Sequence, residues 1–63
     1  MAVRYVKEIA AKLAHEGITP GNFTLDAARV IIDKCVAAPV LNKILEDNVE
    51  EVVEFLHEIK INS

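Results

Sequence analysis

The chain has 63 residues, just over half of them apolar and chiefly Val, Ile, Leu and Ala, with a formal net charge of −3. That length excludes more than one domain, and the acidic balance argues against general attraction to nucleic acid or anionic lipid. The single cysteine, Cys35, excludes a disulfide within the chain, and no apolar run approaches the roughly 20 residues that cross a bilayer.

Residues 2–16 are predicted as a first helix. Val3, Val6, Ile9, Ala10 and Leu13 recur at helical spacing to form one apolar stripe, with Tyr5 at its edge. Arg4–Glu8 and Glu8–Lys12 are candidate i,i+4 pairs, each worth a few tenths of a kcal/mol when exposed. Gly17 supplies the left-handed stop common just past a helix end. Thr19-Pro20-Gly21-Asn22 then matches a type II turn, with Pro at the second position and Gly at the third, where φ must be positive.

Thr24 is a good N-cap for a second helix, and Asp26 follows where the helix dipole favours an acid. Leu25, Ala28, Ile31, Ile32, Cys35 and Val36 share its apolar side. Arg29, Asp33 and Lys34 lie away from it, as does Val30. Pro39 ends or kinks this helix, because the residue before a proline avoids the α region. Pro also suits the first turn of a new helix. Pro39–Glu46 is therefore read as a short third helix with Val40, Leu41, Ile44 and Leu45 inward. A kinked continuation of the second helix is the rival.

Asp47 or Asn48 caps a fourth helix, and Asn48 with Glu51 forms a variant capping box. That helix runs to about Lys60, leaving Ile61-Asn62-Ser63 as a tail. At about 100° per residue, Asp47, Glu50, Glu51, Glu54 and Glu58 project from one side and Val49, Val52, Val53, Leu56 and Ile59 from the other. Nowhere does a period of two persist, so the expectation is an all-α compact array of four short helices, orthogonal or bundle-like, in one domain spanning 1–63.

Charge divides along the chain. Residues 1–45 carry a net +2, whereas residues 46–63 carry −5, with Lys60 as their only cation. Glu-rich helical faces ordinarily interleave Lys; five acids without such partners repel one another.

Signs of catalysis are weak. Glu54 and His57 have the Glu-x-x-His spacing of helix-bundle carboxylate metal sites, but those need further ligands converging inside a bundle. Both residues fall on the polar side here, so no metal or other cofactor is expected. His15, in the last turn of the first helix, meets the negative end of the dipole without a catalytic role. Cys35 falls on an apolar face, where a free thiol behaves as a small hydrophobe. Gly17 and Gly21 lack the residues of a phosphate-binding loop. The expectation is a non-enzymatic protein.

Three binding readings remain. A helix-turn-helix DNA reader would use residues 25–46, with Arg29, Lys34, Asn42 and Lys43 at the DNA. Its turn lacks Gly, its recognition helix is short, and Glu46 and Asp47 would face phosphates. An acidic docking module would present Asp47, Glu50, Glu51, Glu54 and Glu58 to a basic protein partner. The bland reading of that stripe is a solvated face that keeps a helix soluble. The third reading is a helical assembly module, whose acids could also meet Arg4, Lys7 and Lys12 of its own first helix or of a second copy.

A chain this short buries only about 60% of its unfolded surface and often needs a staple. With disulfide and metal set aside, a homodimer is the remaining device. One unpaired Cys and no export signal fit the cytoplasm. The expected function is a self-associating interaction or regulatory module with an acidic face; the DNA-binding regulator is the alternative.

Overall fold

A computed structural model describes the backbone of residues 3–62 and the side chains of residues 4–59. Four helices follow one another: α1 (Val3–His15), α2 (Leu25–Ile32), α3 (Ala38–Asp47) and α4 (Val49–Asn62). No strand occurs among the described residues, and the helices pack as a bundle-like array.

α1 winds because its apolar residues recur on one stripe, and that stripe is what it buries. Val6, Ile9, Ala10 and Leu13 are all within 1% of complete burial; Ala2 and the Val3 side chain lie outside the described residues. Its polar face pairs differently from expectation, with Lys12 turning to Glu16 at 3.7 Å rather than back to Glu8. Gly17, at φ 95°, ends the helix. Ile18 N–H donates to Leu13 O at 2.9 Å and Gly17 N–H to Ala14 O at 3.1 Å. These two bonds make a Schellman cap, and Ile18 packs on the core beside it.

The turn that follows is not type II. Asn22 N–H closes it onto Thr19 O at 3.1 Å, but Gly17 is the only described residue with positive φ, so Gly21 keeps an ordinary backbone. Pro20 fits the second position of either turn type. Asn22 supplies the remaining order, accepting from Thr19 N–H at 2.7 Å through Oδ1 and donating to Gly17 O at 3.3 Å through Nδ2.

Thr24 caps α2 as expected, its extended backbone placing Oγ1 to accept from Ala27 N–H at 3.1 Å. The helix then stops at Ile32, well before Pro39. Lys34 N–H reaches Ile31 O and Cys35 N–H reaches Ile32 O, three-residue bonds that tighten and end the helical run. Val36, expected on the buried side, is instead fully exposed at 105%. Pro39 then occupies the first turn of α3, where its missing N–H costs nothing. α2 and α3 are therefore separate helices.

Two polar contacts pin this reversal. Arg29 pairs with Glu46, and Asn42 Nδ2 donates to Asp33 Oδ1 at 2.6 Å. Moving forward along α2 moves backward along α3 between these contacts, so the two helices run antiparallel there. Leu45 is fully buried and Leu41 and Ile44 pack against the core. Val40 faces out at 59% exposure. It precedes Leu45 by five residues, about 140° around the helix, so the two cannot share a face.

Asn48 alone separates α3 from α4. Its Nδ2 donates to Ile44 O at 2.8 Å, so its side chain caps the end of α3. The capping box expected with Glu51 is replaced by this backward contact. Val52 N–H to Asn48 O, at 2.9 Å, opens α4. Val52 and Leu56 are buried, while Val49, Val53, Phe55 and Ile59 are half-buried. The backbone stays helical through Ile61 and Asn62, where a tail was expected; Ser63 lies outside the described residues.

All four helices supply the core: Val6, Ile9, Ala10 and Leu13 from α1, Ala28 and Ile32 from α2, Leu45 from α3, Val52 and Leu56 from α4. The most extensive packing is between α1 and α4, the first and last helices. The radius of gyration is 10.3 Å, close to the roughly 10.6 Å of a compact chain of this length.

Candidate functional site

The outer side of α4 carries Glu50, Glu51, Glu54 and Glu58, all exposed. Glu50–Glu54 and Glu54–Glu58 are i,i+4 neighbours, so the row is internally repulsive. Asp47 does not belong to it. The helical period breaks at Asn48, which leaves Asp47 as the last residue of α3, paired with Lys43 at 3.8 Å.

Among the described residues, the ion pairs within 4 Å are Lys12–Glu16, Arg29–Glu46 and Lys43–Asp47. None includes an acid of α4. The Lys60 side chain lies outside the described residues. α1 meets the acidic face at its edge, where Lys7 and Glu58 flank a shallow groove with Ala11, Phe55 and Ile59. There the Lys7 ammonium lies 5.5 Å from the Phe55 ring centroid, a cation–π contact.

The four residues of the DNA-reading alternative are dispersed in role. Arg29 is held by Glu46, Asn42 by Asp33 and Lys43 lies against Asp47, while Lys34 is exposed beyond the end of α2. On α3 the acids sit one turn from Asn42 and Lys43, so any phosphate reached by this face would also meet Glu46 and Asp47. Glu54 and His57 both face outward. Among the described residues no three His, Cys, Asp or Glu side chains converge as metal ligands do. No described helix is long and apolar enough to cross a membrane.

Sequence reasoning missed one surface. Cys35 and Leu41 help line a second cleft of about 220 Å³, together with Glu8, Ile9, Lys12 and Ile32. Between those two residues the chain bulges outward, exposing Val36, Ala37, Pro39 and Val40. The signal was the unbroken apolar run from Cys35 to Leu41. Helical periodicity assigns Cys35 and Val36 to the inner face of α2 and Val40 and Leu41 to that of α3, but α2 ends at Ile32, before Val36.

Comparison of the chain with family models, with curated proteins and with solved structures finds no match.

Proposed function

We propose that this protein is a non-enzymatic, cytoplasmic interaction module that self-associates and offers the acidic face of α4 to a basic protein partner. The observation that carries the docking part is the row of Glu50, Glu51, Glu54 and Glu58, none with a cation within 4 Å among the described residues, whereas Glu16, Glu46 and Asp47 each pair with one. Like charges at helical spacing cost stability that a solvated face does not require, and a cationic partner would offset that cost while steering association. Support for self-association is the small core together with four large hydrophobics left on the surface: Tyr5, Val30, Val36 and Val40.

The DNA-reading alternative draws less support, because Glu46, Asp33 and Asp47 engage three of its four contact residues. The test of the docking reading is charge reversal of Glu50, Glu51 and Glu54 together. Capture of a basic partner by the immobilised protein is expected to fall with the helical circular dichroism retained. Unchanged capture would reduce the row to a solvated face.

A further inference from the structure

We propose that the segment Val36–Val40 and the cleft beside it form a two-fold interface, each copy seating its Val36 bulge in the cleft of the other. The inference rests on the self-association reading above and names the surface that would serve it. Both halves are present on one face of one chain. The bulge is convex and apolar, with Val36 exposed at 105% and Val40 at 59%. The cleft is floored by Ile9 and Ile32, and its walls include Cys35 and Leu41, the residues that bound the bulge. A projection beside a matching recess is what an isologous contact requires, since the same patch must complement itself.

Charge selects a second copy as occupant. The segment Cys35–Leu41 contains no ionisable group besides the thiol, so two copies meet here without the like-charge repulsion that two α4 faces, each with Glu50, Glu51, Glu54 and Glu58, would impose. On the cleft rim, Glu8 has no cation within 4 Å among the described residues, whereas its neighbour Lys12 is paired with Glu16. Lys34, two residues before Val36, likewise has no acid within 4 Å among them. Two-fold docking would bring Lys34 of each copy toward Glu8 of the other, forming the pair twice. A standard interface takes about 800 Å² from each partner, near a fifth of this chain's 4270 Å².

Sedimentation equilibrium of the full chain up to hundreds of micromolar tests this, with helical circular dichroism confirming the fold of each variant. The wild type is expected to dimerise, and Val36→Asp to weaken the dimer roughly 100-fold, because the interface holds two copies of the change. Glu8→Lys and Lys34→Glu should each weaken it, and the double exchange should restore it. Copper–phenanthroline, as oxidant, should link the wild type through Cys35, one from each copy, and leave Val36→Asp unlinked. A wild-type dimer indifferent to Val36→Asp would overturn this interface and leave self-association standing. A wild type that stays monomeric throughout would overturn both. A double exchange no tighter than the single variants would overturn the charge-paired arrangement.

Discussion

Asn42 donates its side-chain amide to Asp33 Oδ1 at 2.6 Å across the reversal between α2 and α3. With Arg29–Glu46 it sets the register of an antiparallel helix pair whose connecting segment, residues 33–37, has no helical ladder of its own. The other oxygen of the contact, Asn42 Oδ1, is buried without a partner. The donor role therefore carries the interaction. Asn42→Asp should destabilise the fold by about 1–2 kcal/mol through lost bonding and a new like-charge contact. Urea denaturation measures this, and the exchange Asp33→Asn with Asn42→Asp should recover most of the loss. A neutral Asn42→Asp variant would show that the contact does not set the register.

The two glycines should respond to alanine with opposite signs. Gly17 holds φ 95°, so Gly17→Ala strains the Schellman cap even though a Cβ there meets nothing within 4 Å. A loss of about 1 kcal/mol is expected. At Gly21 the backbone is ordinary, and a Cβ would meet Thr19 Oγ1 at 3.8 Å, a normal contact. Gly21→Ala should therefore stabilise by about 0.4–1 kcal/mol by narrowing the unfolded ensemble. Thermal unfolding of the two variants checks the pair of signs.

Leu13 is fully buried and its carbonyl also accepts the cap bond from Ile18. Leu13→Ala should cost about 2–5 kcal/mol. A domain of this length holds only about 3–9 kcal/mol in total. Circular dichroism at 37 °C should consequently show a large unfolded fraction. A well-folded variant would mean that the core collapses around the deletion.

On α4, Glu54 has an acid four residues away on either side. Glu54→Lys turns two repulsions into two attractions and should add about 1 kcal/mol of stability at low salt, with the gain shrinking as salt is added. The same variant should bind a basic partner less well. Opposite movement of melting temperature and partner affinity would mark a face whose charge is kept for binding.

Retention on duplex DNA checks the helix-turn-helix alternative. With Arg29 held by Glu46 and Lys43 beside Asp47, no retention is expected even at low salt. Retention with a steep salt dependence would restore that reading.

Where local chemistry decided the outcome, it was legible in the sequence. Gly17 and Thr24 act as caps because their roles depend on residues within one turn. The apolar stripe of α1 buries the side that helical spacing assigns it; on α4 Val52 and Leu56 do so and Ile59 packs on the core, but Phe55 joins them in place of Val49 and Val53. Errors gathered where a helix ends. Val36 loses its inner face because the angular count of α2 extends past its end at Ile32, and Asp47 leaves the acidic row because that count extends back across Asn48; Val40 lies about 140° from Leu45 on α3 itself. The counts for Val36 and Asp47 lose phase where the backbone leaves the helix. The contacts that set the register of α2 on α3 join Asp33 to Asn42 and Arg29 to Glu46; such tertiary pairings leave no periodic trace. Gly21 failed for a related reason, since Asn22 braces its turn through side-chain bonds that allow a negative φ.

The packing of α1 on α4 also governs how the molecule opens. Their contact closes a loop running from His15 to Val49, the entropic cost of which must be met before the buried sides of either helix gain anything. The α2–α3 hairpin closes over a short span and can form first. Once the ends have joined, neither terminal helix can peel away without baring the inward side of the other. Amide protons facing that seam should therefore exchange with solvent together, by one global opening, and those of the hairpin should not exchange ahead of them as an independent unit.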